Sequence, residues 1–316
     1  MKINQWTKRS QPGRPSTFVI SITTFDENRA LDESSLRLHF QRMAAAGIGV
    51  YAGGSSPGEG YSLSSTEAHR VLEIAVEELK GKVPVRAMGV EPRTASTMAE
   101  FGNMAESTGV DAIQIYSLDV GHGNKPTPSE IDQYFRHSIE AVSLPVVLST
   151  HQSMGYTIPL DTLALLVADY PHIIGVNCTH PDLAYLTRMI DLVGHEIEIH
   201  VGGPMQALTA LALGAHGFLT SEANFAPRLC QSVIDRYNKG DYMGASSAFG
   251  TMLRIFSVNQ FGTSVRWNKA AMEVLGLPGF HLRDPHVAID NEGKSRIRAA
   301  FQALDLWSIE RLNLPS

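Results

Sequence analysis

Cysteine is scarce in this chain. Only Cys178 and Cys230 occur among 316 residues, too few for a disulfide framework and without metal-type spacing, which points to a reducing cytoplasm. Long apolar runs are missing as well. None approaches the roughly 18 residues of a membrane span, and the opening MKINQWTKRSQPGRPS has basic side chains but no apolar stretch of the signal-peptide kind. Basic stripes are absent too: the net charge is −6 with both signs interspersed, which argues against a nucleic-acid partner. Apolar content of 43% and charged content of 18% describe an ordinary globular protein.

What is present is a regular alternation. Short β-rich runs, FVISITTF, GIGVYAGG, VPVRAMG, AIQIYSL, PVVLSTH, HIIGVNCTH, EIEIHVGG and AHGFLTSE, are separated by amphipathic stretches such as SLRLHFQRMAAA, EAHRVLEIAVEELK and TASTMAEFGNMAEST. This pattern predicts an α/β fold, a (β/α)8 TIM barrel over residues 17–223. A doubly wound sheet is the competitor, but no Gly-x-Gly-x-x-Gly turn follows the first strand. Residues 1–16 read as an N-terminal arm. Beyond 224 the strand signal stops, and PRLCQSVIDRYNKGDYMGASSAFGTMLRIF and SRIRAAFQALDLWSIERL predict a helical appendage over 224–316, with LGLPGFHLRDP as a loop.

Alternation within the strands sorts side chains by face. The outward face of a barrel strand packs on helices, and the inward face lines the lumen and, at its C-terminal end, the site. In AIQIYSL the isoleucines Ile113 and Ile115 take the outward positions, so Gln114 and Tyr116 point inward. The same parity sends Ser21, Thr23, Ser149, His151, Asn177, Glu198 and His200 inward, a polar lumen suited to a small molecule. Arg86 also points inward, and an unpaired charge there is costly, so Arg86 and Glu198 are expected to pair, with each other or with another lumen residue. Cys178 faces the helix layer.

The second strand runs into GGSSPGEGYSL. Its backbone N–H groups and the Ser55 and Ser56 hydroxyls suit a carboxylate. With ISITTFDENRALDESSL before it and GAHGFLTSEANFAPRLC, KGD and HLRDP after it, the chain resembles the dihydrodipicolinate synthase and N-acetylneuraminate lyase superfamily over residues 18–290. In that family a Gly-(Ser/Thr)-Thr-Gly-Glu turn grips the carboxylate of a 2-oxo acid, and SSPGEGYSLSSTEAHR is similar to it. The resemblance implies that Ser55, Ser56, Gly58 and Glu59 bind substrate, joined by His200, Gly202 and Ser221 at the ends of strands seven and eight. An ungapped match puts Pro57 where the family has a threonine; a one-residue insertion instead keeps Ser55 and Ser56 in place.

Departures from the family pattern carry the functional expectation. Members form a Schiff base through a lysine in a Gly-(Ile/Val)-Lys segment ending the sixth strand; here the segment is Gly-Val-Asn, with Asn177 at that place. An amide nitrogen is delocalised and cannot attack a carbonyl to give an iminium ion. Of Lys2, Lys8, Lys80, Lys82, Lys125, Lys239, Lys269 and Lys294, only Lys125 is expected in a loop after a barrel strand, and it is expected to be solvated. The family's Tyr-Asn pair on the fifth strand is replaced by Ser149 and Thr150, with His151 beyond, and SMGYT lacks the family's arginine.

The expectation is a cytoplasmic lyase or aldolase-type enzyme, acting on a small carboxylated or carbonyl substrate by acid/base or electrostatic catalysis through Tyr116, Ser149, His151 and Asn177. It needs no cofactor or metal. One alternative is a carboxylate-binding homologue without catalysis. Another is a metal-dependent aldolase or hydrolase using His151, His180, His200 and Glu222. The resemblance also implies a homo-oligomer, dimer or tetramer.

Overall fold

The computed structural model describes residues 13, 15–151, 157–203, 206–259 and 264–313. Eight strands form a closed barrel in chain order: β1 Ser16–Ile20, β2 Gly49–Ala52, β3 Val85–Met88, β4 Ala112–Ile115, β5 Val146–His151, β6 Ile173–Thr179, β7 Glu198–Gly202 and β8 Gly217–Thr220. The pairings are parallel, so the expected TIM barrel is the observed fold. Strands such as β3 and β4 are buried on both faces, as a wall must be when helices cover one side and lumen side chains fill the other.

The helices are α1 Glu33–Ala46, α2 Ser65–Leu79, α3 Ala95–Thr108, α4 Pro128–Glu140, α5 Leu160–Asp169, α6 Leu183–Val193, α7 Ala207–Ala212, α8 Pro227–Asn238, α9 Tyr242–Val258, α10 Ser264–Val274, α11 Asn291–Ala303 and α12 Leu306–Glu310. Their starts are written locally. Ser64 and Glu67 form a reciprocal capping box on α2, and Thr127 and Glu130 do the same on α4, with Pro128 in its first turn. The two long helical stretches predicted near the C-terminus are each broken. Lys239 and Gly240 end α8 and Asp241 caps α9 by accepting from Gly244 N, while Asp305, in the left-handed region, divides α11 from α12. Helix α10 was not anticipated from periodicity. Eight of its eleven residues are buried, the polar Asn268 and Lys269 among them, so polarity there does not track exposure.

The chain divides into two compact units, Arg86–Leu219 with the N-terminal Met1–Pro15, and Ser16–Val85 with Thr220–Ser316. In the first, Val146, Leu148, Val176, Ile199 and Val201 are fully buried. In the second, the C-terminal helices share a core with α1, built around Phe225, Trp267 and Phe301, whose ring centroids lie 5.6 to 6.0 Å apart. The expected N-terminal arm lies almost wholly outside the described residues. Among those described, no helix is long and apolar enough to cross a membrane.

Candidate active site

In the first unit, β6 delivers Asn177 into the lumen. Parallel register puts Ser149, Asn177 and His200 side by side on β5, β6 and β7, so one inward layer carries a hydroxyl, an amide and an imidazole. All three are buried. The Asn177 amide donates to Gln114 Oε1 on β4, another residue that parity turns inward. Below this layer Arg86 Nη2 meets Glu198 Oε2 at 2.9 Å, with side-chain exposures of 7% and 28%. The expected pair is formed, with Arg86 buried and Glu198 half-buried. Gly175 gives it room, since a Cβ there would stand 3.0 Å from Glu198 O. Burial, then the nearby Arg86 charge and His216, hold the His200 imidazole well below its ordinary pKa. His200 is thus a neutral ring.

At the C-terminal end of the same strands stand Tyr116 and His151. Burial pushes the Tyr116 phenol upward, and the Glu91 carboxylate, hydrogen-bonded to it, adds to the shift. Tyr134 fixes the backbone here by donating its hydroxyl to Tyr116 O at 2.7 Å. Burial lowers the His151 pKa, and the charge of Glu91 partly opposes this. Glu91 thus faces both groups. It was not anticipated from the sequence, although it lies in the loop following β3, at the barrel end where such folds place their chemistry. That loop is tied to the one following β4: Asp119 N donates to Pro92 O at 3.0 Å, Arg93 Nη2 lies 3.3 Å from Asp119 Oδ2, and Gly121 N donates to Asp119 Oδ1 at 2.8 Å. Gly202 has no space for a side chain, because Thr179 Oγ1 would lie 1.8 Å from an added Cβ.

Other histidines and the cysteine go elsewhere. His180 Nδ1 accepts from Asp182 N at 3.1 Å and its ring lies 4.6 Å from that of Tyr185, so it belongs to the start of α6. Among the described residues no three His, Cys, Asp or Glu side chains are grouped as a metal site. The constellation of His151, His180, His200 and Glu222 is therefore not assembled as a ligand set. Cys178 is buried, and burial raises its thiol to about 12.

In the second unit the turn after β2 is closed on itself. Glu59 N donates to Ser55 O at 3.0 Å and Gly60 N to Gly54 O at 2.9 Å. Gly58 packs backbone on backbone: a Cβ there would meet Gly54 O at 2.4 Å and Ser21 O at 2.9 Å. Ser56 is exposed and its hydroxyl lies 2.7 Å from Ser264 Oγ. Ser221 is half-buried and donates to Glu222 Oε2 at 3.3 Å. Glu59 requires a correction to the expected substrate contact. Its carboxylate is fully buried, pairs with Lys269 Nζ at 3.1 Å and accepts from Arg283 N at 3.0 Å, so its oxygens face the protein. The motif located the residue, but its partners lie over two hundred residues away in sequence.

The described lysines have clear places. Lys80, Lys82, Lys125 and Lys239 are exposed, and Lys294 is paired with Glu273 at 2.6 Å. Lys269 is buried, and its ammonium donates to Thr23 O and His281 O, each at 2.6 Å. Burial lowers its pKa to about 8 against the opposing pull of Glu59. A desolvated lysine is the type that forms imines, but this one is committed to protein acceptors.

Known proteins resemble this chain over most of its length. A curated 4-hydroxy-tetrahydrodipicolinate synthase from Methanopyrus kandleri is 31% identical over 90% of this chain and 94% of its own, and one from Rhodopseudomonas palustris is 27% identical over 92% and 96%. A crystal structure of a dihydrodipicolinate synthase matches with a TM-score of 0.84 at 26% identity, covering 92% of this chain and 99% of that one. The E. coli K12 prophage protein YagE, solved in complex with pyruvate, shares the fold with a TM-score of 0.85 at 24% identity over 92% and 99%. The family model for dihydrodipicolinate synthetases matches residues 15–304. From β1 through α11, this chain belongs to the dihydrodipicolinate synthetase family.

Proposed function

We propose that the chain is a cytoplasmic lyase of the aldolase type, making or breaking a carbon–carbon or carbon–oxygen bond in a small carboxylated carbonyl compound without forming an imine. The observation that carries this reading is residue 177. At the place where the family resemblance puts an amine, an asparagine amide is buried and bound to Gln114. The relatives' synthase activity is not part of the proposal, since an amide cannot become an iminium nitrogen.

In this reading Asn177, steadied by Gln114, donates to a substrate oxygen as negative charge develops on it. Tyr116, kept protonated by burial and Glu91, is the proton donor, and His151, kept neutral by burial, is the acceptor. Ser149 lies beside Asn177 in the same layer and supplies a further hydroxyl. The turn around Ser55 and Ser56 is proposed to hold a carboxylate. Assembly as a dimer or tetramer belongs to the same proposal and is read by sedimentation velocity.

The test is calorimetry against a panel of 2-oxo acids, followed by turnover assays on each compound that binds. Turnover in the wild type that is lost in His151→Ala supports the enzyme. Binding without turnover in the wild type supports instead a homologue that keeps the pocket and not the catalyst.

A further inference from the structure

Lys269 is a buried amine for which the chemistry above has no use. Its surroundings are unusually complete. Besides Thr23 O and His281 O, the ammonium faces Glu59 Oε2, and it lies 4.6 Å from the centroid of the Phe25 ring. Lys269 Nζ stands 3.1 Å from Glu59 Oε2, both side chains buried. The same helix touches the turn a second time, where Ser264 Oγ lies 2.7 Å from Ser56 Oγ.

The segment after α10 closes around the same point. Arg283 donates its backbone N–H to Glu59 Oε1, stacks over Phe25 at 4.1 Å and donates side-chain N–H groups to Arg29 O, Ser62 O and both oxygens of Glu67. Tyr61 OH is hydrogen-bonded to His286 Nε2. Burying an ammonium and a carboxylate is costly unless each satisfies the other, and removing one strands its partner. Hydrophobic replacements of buried pairs are often equally stable, so the charges here point to a conformational role.

We infer that Lys269 is the positioning residue of the turn at 53–60: through Glu59 it fixes the conformation in which the backbone, Ser55 and Ser56 are presented to a carboxylate ligand. Glu59 is the anchor of that turn. The inference deepens the proposed function, resting on its reading of the turn as a carboxylate site. The helix α10 and the 281–286 segment become part of the binding apparatus although neither need touch the ligand.

The test combines two readouts on the full-length protein: amide hydrogen exchange followed by mass spectrometry, and calorimetry with pyruvate as the probe. In Lys269→Met, exchange across 53–60 and 281–284 is expected to accelerate at least tenfold, while a peptide over 173–179 stays at the wild-type rate. Pyruvate affinity is expected to fall at least tenfold. The double variant Glu59→Gln/Lys269→Met, which removes both charges, is expected to recover thermal stability without recovering affinity. Should Lys269→Met not fold, Glu59→Gln alone is expected to give the same acceleration at 53–60. Wild-type exchange rates at 53–60 in these variants would overturn the inference. A wild type that does not bind pyruvate, with exchange accelerated in the variants, would sink the carboxylate reading and leave the positioning role standing.

Discussion

Asn177 and Gln114 meet inside the barrel, β6 donating and β4 accepting, over the strand that separates them in the wall. Two amides bonded in a buried layer hold each other's orientation, because each has donors and acceptors that cost free energy if left unpaired. That bond gives residue 177 a defined direction. It also defines what the residue can do, which is to donate a hydrogen bond and not to become an imine.

The Arg86–Glu198 pair beneath this layer is expected to be structural. Arg86→Met leaves the Glu198 carboxylate without its partner and should destabilise the fold by about 3 kcal/mol, read from urea unfolding. Arg86→Met/Glu198→Leu should recover most of that loss. If the single variant unfolds at the wild-type urea concentration, the pair contributes nothing.

His151 should titrate below its ordinary value of 6.5, since burial disfavours the imidazolium. The sign follows from proton counts: below pH 6.5 the unfolded chain binds the proton and the folded site resists it. Stability from this group is therefore complete above pH 6.5 and is lost as pH falls through the lowered value. Glu91→Gln removes a charge that favours the imidazolium, so it should lower the His151 midpoint further. The His151 Cε1 proton, followed by NMR from pH 8 to pH 4, reports both midpoints; an upward shift in the variant contradicts the placement of Glu91.

Glu310 is expected to give the opposite slope. It accepts from Leu229 N at 2.9 Å and Arg228 N at 3.2 Å, and burial raises its pKa from 4.5 to about 7. Between those values the folded state holds the proton and the unfolded state does not, so stability falls as pH rises from 4.5 to about 7. The difference amounts to about 3 kcal/mol. Glu310→Gln, which cannot ionise, should lack this component when thermal unfolding is followed over the same range. Identical slopes in the two proteins would count against it.

The fold was legible because its signal is periodic. A two-residue period in the strands separates the Ile113 face from the Gln114 face, and that parity alone brings Arg86 toward Glu198 and Asn177 into the lumen. Less was legible where the determining contact is distant. The turn motif marks Glu59, but only the folded chain brings Lys269 to it, from a helix whose polar residues Asn268 and Lys269 are buried. Glu91 follows a strand end without periodic context, and its role depends on Tyr116 and His151 arriving from β4 and β5. His180 shows the converse: it follows a strand as a ligand would, yet its ring turns back to the start of α6.

The most direct measurement is borohydride reduction in the presence of pyruvate, read by intact mass and peptide mapping. The wild type is expected to gain no mass, whereas Asn177→Lys, which restores an amine at that position, is expected to gain one reduced pyruvate adduct on residue 177. An adduct on any lysine of the wild type, Lys269 included, would contradict the imine-free reading.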